Sequence, residues 1–438
     1  SKSTGARADF GLLWCTSRGM KMSGLAVRKF FGSGAVFALR GASAATLPTL
    51  AQADSDDPLR QRINALGTEL TELRAQVEET ERKADAASRA VESDANARVK
   101  WHLAGYAAST FVASDADGTN SSFGFGTFSP IFHFQYDDFF LFEAEPSLTF
   151  NDDGGTEIDL EYAQFNLILN DYVTLSAGKI VSPVGQFASR LHPAWINKLP
   201  DAPPGFGHDG IQPSSERGFQ FSGGVPLGGD MVGTYAIAVG NGPRIGFHGI
   251  ELEGFSGDNN QNKAVQGRFG FLPMPYLEFG GSFMVATAPG MPAAAGPVTE
   301  GDFKLWGVDA AYTRGPLNVR GELLKGSLGS YQGAADPGDA VTQLLPGSDW
   351  TAWYAQASYR LSGITDTPIL KDLEPVIRYS EFDVDGNFSG EGQRQITIGL
   401  NYIIAPSIIA KVALQRRDFQ ASGVANENRM LAQIAYGF

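Results

Sequence analysis

From about residue 99 to Phe438, apolar and polar residues alternate with a period of two, in segments of roughly ten residues bounded by Gly, Asn, Asp, Pro and Ser. Ile396, Ile398, Leu400 and Tyr402 alternate with Gln395, Thr397, Gly399 and Asn401, and Leu277, Phe279, Phe283 and Val285 with Tyr276, Glu278, Gly280 and Ser282. Each such segment predicts a strand with one oily and one wet face, long enough to cross a bilayer at a tilt. Tight turns fall at Tyr136-Asp138, Asn170-Asp171, Pro226-Asp230, Pro273-Pro275, Arg314-Pro316 and Ala405-Ser407, with a longer one at Ser362-Lys371. Between them lie polar loops near 113–122, 151–156, 181–215, 241–262, 288–302, 328–349, 384–392 and 418–429. Seven turns and eight loops make about sixteen strands with both ends of the run on the turn side, which in such barrels is periplasmic. The fold expected is all-β: a sixteen-stranded antiparallel transmembrane β-barrel over 99–438. A soluble sandwich or propeller would point its apolar face inward and keep its connections similar in length. The fourth strand changes phase, from Ile158, Leu160 and Tyr162 to Phe165, Leu167 and Leu169, so a bulge is expected near Ala163.

Ahead of the strands the periodicity is helical. Leu59, Ile63, Leu66, Leu70, Leu73, Val77, Thr80, Ala84, Ala87 and Val91 fall at alternating spacings of four and three, a heptad seam that can be buried only against another helix. Pro58 suits a first helical turn, and Asp56 and Asp57 suit its positive end. Residues 54–98 are therefore expected to form a short α-helical coiled coil that holds a parallel oligomer together in the periplasm. Before it, Met20, Lys21, Arg28 and Lys29 make a basic start, Phe30 to Leu39 is apolar, and Ala51-Gln52-Ala53 is an A-x-A cleavage site. Residues 1–53 are read as upstream residues plus a secretory signal peptide, with 1–19 preceding the initiator.

Composition narrows the class. The 53 Gly and 30 Phe suit many turns and aromatic strands, and no apolar run approaches the ~18 residues of a spanning helix. A single cysteine, Cys15, leaves neither a disulfide framework nor a cysteine metal site. A formal charge of −14 argues against a nucleic-acid partner. Asp115-Ala116-Asp117-Gly118 and Asp383-Val384-Asp385-Gly386-Asn387 begin like calcium loops but carry Gly126 and Arg394 where the closing Glu belongs, so turns in external loops account for them. His208-Asp209 has no serine at a recognisable motif, so neither enzymatic activity nor a cofactor is expected.

The final strand, in which Ile434, Tyr436 and Phe438 alternate with Ala435 and Gly437, resembles the C-terminal signal of outer-membrane proteins. That resemblance implies recognition of Phe438 by the barrel assembly machinery. The block Gly178-Lys179-Ile180-Val181-Ser182-Pro183-Val184-Gly185-Gln186-Phe187, taken with the coiled coil, resembles the phosphate-selective porin O and P family, especially its DcaP-like trimers. The resemblance implies a homotrimer in outer-membrane lipid, each barrel with a water-filled pore narrowed by an inward-folded loop. Phosphate selectivity fits less well, because from residue 99 on there are 20 Lys plus Arg against 36 Asp plus Glu.

If the apolar set faces lipid, the opposite set lines the lumen. Glu143, Glu145, Glu157, Asp159, Glu161, Glu278, Asp309 and Glu322 then face inward, as do Arg320, Arg360, Arg378, Lys411 and Arg417 on later strands. Opposed acidic and basic walls would set a transverse field, whereas charges that pair with one another would only keep the lumen wet. Loop 181–215, proline-rich and carrying Arg190, His192, Lys198 and Asp201, is expected to be the constriction. The candidate pore-lining or constriction residues are Lys179, Arg190, His192, Lys198, Asp201, Glu143, Glu161, Arg320, Arg360, Arg378, Lys411 and Arg417. The function expected is passive diffusion of small hydrophilic solutes or ions. The alternatives are a substrate-specific channel for small anions such as phosphate or dicarboxylate, and a structural barrel that tethers a periplasmic partner.

Overall fold

The computed structural model describes residues 98–438 apart from 152–153, 208–209, 247–248, 256, 259, 387–391 and 422. The segments read as signal peptide (1–53) and coiled coil (54–98, save Arg98) lie outside the described residues, as do His208 and Asp209. In chain order the strands are β1 (Val99–Ser114), β2 (Ser122–Tyr136), β3 (Phe140–Phe150), β4 (Thr156–Asn170), β5 (Val173–Val181), β6 (Ser215–Gly228) and β7 (Met231–Gly240). Then come β8 (Arg244–Gly246), β9 (Gly249–Glu251), β10 (Ala264–Met274), β11 (Leu277–Pro289), β12 (Glu300–Arg314) and β13 (Leu317–Leu328). The last seven are β14 (Tyr331–Gly333), β15 (Gln343–Leu345), β16 (Ser348–Tyr359), β17 (Leu373–Gly386), β18 (Gln393–Ala405), β19 (Ile408–Phe419) and β20 (Glu427–Gly437).

Sixteen of these close an antiparallel barrel, each paired with its neighbour along the chain, while β8-β9 and β14-β15 are small hairpins inside the loops after β7 and β13. The closing seam pairs β1 with β20, from Tyr106 opposite Gly437 to Ser114 opposite Arg429. At its turn-side end, Gly105 and Phe438 exchange two backbone hydrogen bonds of 3.0 Å. A closed sheet has no edge, which a strand protein in hydrocarbon requires.

The period-two pattern sets which face each residue takes. On β18, Ile396, Ile398 and Leu400 are 41%, 58% and 46% exposed, while Gln395, Thr397 and Asn401 are 3%, 0% and 1% exposed. The phase change on β4 arises where Glu145 pairs Tyr162 but the next residue, Pro146, pairs Leu160, which leaves Glu161 as the extra residue. The bulge thus falls two positions before Ala163.

The interior is not uniformly wet. On the loop side of β10–β17 the inward set is apolar, including Met284, Phe303, Leu305, Leu324, Trp350 and Val384. Loop residues Val184, Phe187, Phe206 and Ile211, with Ile245, Leu252, Tyr331 and Leu345 from the hairpin-bearing loops, join them in one buried cluster. On the turn side the inward set is charged or amide-bearing, as with Asp309, Glu322, Gln356, Glu374, Arg378 and Lys411. The expectation that the non-lipid face is wet throughout holds only for this second tier.

Candidate functional site

The long connection between β5 and β6 runs along the inner wall and meets strand after strand. At its neck, Ser182 N donates to Ser214 O at 3.1 Å, and the Ser182 hydroxyl donates to the Gln266 carbonyl at 2.6 Å. Gly185 N donates to the Ser282 hydroxyl at 2.9 Å. The amides of Gln186 and Phe187 donate to the two oxygens of Glu322 at 3.1 and 3.0 Å, and Gln212 Nε2 donates to the same carboxylate at 3.1 Å. Gly185 has φ +71°, and a Cβ there would lie 1.8 Å from Glu322 Oε1, so only glycine brings the backbone this close to the wall. Gly205, at φ +81°, is pressed in the same way between Ala352 and Phe382.

The polar tier takes the loop's charged residues. Arg190, at the end of a π-helical turn over Phe187–Leu191, donates to both oxygens of Glu278 at 3.0 and 2.8 Å. Glu278 also accepts from Arg268 at 2.9 Å, and Arg268 donates to Asp309 at 2.9 and 2.6 Å, giving a row of four alternating charges. His192 Nδ1 lies 2.9 Å from Ala188 O, and its ring meets Tyr106 edge-on. Lys198 pairs with Glu374 at 3.0 Å, and Glu374 accepts from Ser358 at 2.9 Å. Asp201 accepts from the fully buried Arg378 at 2.8 Å and also from Gln395 and Gln415. Lys411 is buried and donates to the carbonyls of Ala194 and Asn197 and to Gln433 at 2.9 Å.

Arg190, His192, Lys198, Asp201, Arg378 and Lys411 are thus gathered where the loop meets the wall. Arg320 shares a cleft with Lys198 of that group, lined also by Phe187, Leu191, Asn197, Tyr354 and Gln356. The other candidates lie elsewhere. Glu143 accepts from Gln164 and Asn166 on the β3–β4 wall at 3.2 and 2.8 Å. Glu161 is the bulge residue. Lys179 alternates with the buried Ser176 and Ile180 and caps the Leu160 carbonyl beside that bulge at 2.7 Å, on the outward phase. Arg360 pairs with Asp372 at 3.0 Å within the turn after β16, and Arg417 pairs with Glu427 at 2.9 Å near the loop ends of β19 and β20.

Sequence reasoning missed Arg268, Glu374 and Gln212. The first two carried a usable signal. Gln266 and Arg268 alternate with Val265 and Phe269, and Glu374 alternates with Leu373 and Pro375. Gln212 carried none, because its partners Val184 and Glu322 are set by how the loop folds.

Opposed walls of bare charge are not what the site presents. Most inward cations meet a carboxylate within about 3 Å, so the field is local and divided among pairs. Arg320 and Lys411 differ, since no carboxylate among the described residues is within ion-pair distance of either: Lys411 is held by carbonyl oxygens, and Arg320 Nε donates to Asn318 at 3.0 Å.

Residues 293–436, covering β12 to β20, match the family model described as phosphate-selective porin O and P. No curated protein matches the chain. Among solved structures, the loop-L8 deletion mutant of OmpT, an outer-membrane protein of Vibrio cholerae, matches at 11% identity and TM-score 0.50, over 78% of this chain and 100% of that one. The outer-membrane channel DcaP of Acinetobacter baumannii matches at 14% identity and TM-score 0.49, over 78% of this chain and 98% of that one. An anion-selective porin from Comamonas acidovorans matches at 14% and 0.48, over 78% and 100%. A closed sixteen-strand barrel with lipid-facing aromatics and a matched porin-family segment defines an outer-membrane channel. The segment 293–436 is the part of the chain that matches the phosphate-selective porin O and P model.

Proposed function

We propose that this porin is a passive channel for small hydrophilic solutes, in which residues 182–214 narrow each barrel and no bond is made or broken. The observation that carries the reading is the loop's hold on the inner wall, where it hydrogen-bonds to β10, β11, β13, β17, β18, β19 and β20. A loop so placed occupies cross-section that solutes would otherwise use. The channel works as a homotrimer, supported by the heptad seam over 54–98, which needs partner helices. That segment stands in the periplasm after removal of 1–53, and Phe438 presents the last strand to the assembly machinery. Arg320 favours a second reading, a channel with preference for small anions. A guanidinium without a carboxylate partner at the loop's edge attracts an anion passing the cleft.

Single-channel recording in planar bilayers tests both readings. Three equal conductance steps with weak ion preference are expected for the general porin. A reversal potential that shifts toward cations in Arg320→Gln, with conductance retained, supports the anion preference; an unchanged reversal potential removes it. Absence of conductance would overturn the channel's passive-diffusion role in favour of a structural barrel.

A further inference from the structure

The outward faces of β12 and β13 carry two ammonium groups that nothing in the protein answers. Lys304 lies opposite Ser327 and Lys325 lies opposite Trp306, so the two lysines are diagonal neighbours on one face of adjacent strands. Both are exposed, and among the described residues neither makes an ion pair or a hydrogen bond. Diagonal side chains on a sheet are about 7–8 Å apart at the backbone and within reach of one another when long. Two like charges there repel unless an anion sits between them. Other outward cations toward the loop side are answered: Arg394 pairs with Glu381 at 2.6 Å and Arg416 with Asp418 at 3.0 Å.

The depth of the pair identifies what it meets. Trp306 follows Lys304 on the same face and is half exposed, and Tyr312 marks the turn-side end of that face. Eight residues separate Lys304 from Tyr312, which at a strand rise of about 3.3 Å and a tilt of about 40° is roughly 20 Å along the membrane normal. The lysines therefore sit at the upper edge of the apolar band, where flexible stems lift their charges to headgroup level above an interfacial tryptophan. Asp302 and Asp349 lie one step farther toward the loops on the same side without pairing with either lysine, which leaves the ammonium groups free for an external anion.

We infer that Lys304 and Lys325 form a docking site for the phosphorylated headgroup of an outer-leaflet lipid, its acyl chains running down past Trp306. The site rests on the lipid-facing reading of this wall and is independent of what the lumen conducts.

The test uses the full protein in detergent, with diphosphorylated lipid A, its dephosphorylated form and inorganic phosphate as probes. Native mass spectrometry should show the diphosphorylated lipid retained, and binding should weaken roughly tenfold or more in Lys304→Gln/Lys325→Gln. Arg416→Gln, which alters an already paired cation, should bind as the unaltered protein does, and the double variant should keep the unaltered protein's conductance. Equal retention of phosphorylated and dephosphorylated lipid, or equal binding by the double variant, overturns the assignment. Binding of inorganic phosphate as strong as that of the lipid would do the same, by showing a simple anion site.

Discussion

Arg378 shows what single residues contribute. Its side chain is fully buried, and it spends its donors on the Asp201 carboxylate at 2.8 Å and the Asp201 and Ala202 carbonyls. Breaking such a pair from one side leaves a buried uncompensated charge, at about 3–5 kcal/mol, whereas replacing both partners by apolar groups costs far less. Asp201→Ala should therefore release the loop near that residue and raise single-channel conductance, while Asp201→Ala combined with Arg378→Met should return it toward the starting value. Equal conductance in all three proteins would show that the pair does not hold the loop. Arg378 was readable as inward from Ile377 and Tyr379 on either side of it. Its partner was not, because 177 residues separate the two and only the barrel brings them together.

At the scale of elements, the alternation along each strand was the strongest signal, since membrane strands must put apolar groups outward and the pleat does the rest. Turn and loop positions followed from Gly, Pro, Asn and Asp clusters, and the change of phase on β4 located its bulge to within two residues. The loop between β5 and β6 was legible as irregular from its prolines, while its anchoring was not. Glu322 illustrates why. Its carboxylate accepts from two loop amides and Gln212, all more than a hundred positions away. Glu322→Ala leaves those buried N–H groups unanswered, at about 1–3 kcal/mol each, so the neck of the loop should detach. Greater conductance and faster amide exchange at Gln186 and Phe187 are expected, with Glu322→Gln intermediate. Unchanged exchange at both amides would place the anchor elsewhere.

The whole molecule depends on closing β1 against β20. Beyond the loop-side end of that seam, Asp115 Oδ1 accepts from Asn428 N at 2.6 Å and Oδ2 from Asn428 Nδ2 at 2.7 Å, which holds the Asp115 carboxyl below the ordinary carboxylate range. A carboxyl whose pKa is lower folded than unfolded contributes fully above its unfolded value of about 4 and loses that contribution as pH falls through the depressed value. The protection factor of the Asn428 amide should drop on acidification below about pH 4, and Asp115→Asn should abolish that dependence. Constant protection across that range would mean the carboxylate does not close the seam.

The order of apolar and polar residues by itself determined the class of fold, the strand number, the alternation of turns with loops and the lipid face, because each is a local consequence of a two-residue pleat in an apolar solvent. Tertiary structure alone decided what fills the interior. Phe303 and Leu305 lie on the inward phase, where water is the default neighbour, and they are buried because Phe187, Phe206 and Ile211 fold in from a distant loop. Nor could the pattern say which charges would neutralise each other. Ion pairs such as Arg190 with Glu278 and Lys198 with Glu374 join residues 88 and 176 positions apart, and their spacing is set by how the closed barrel curves, a property of all sixteen strands together.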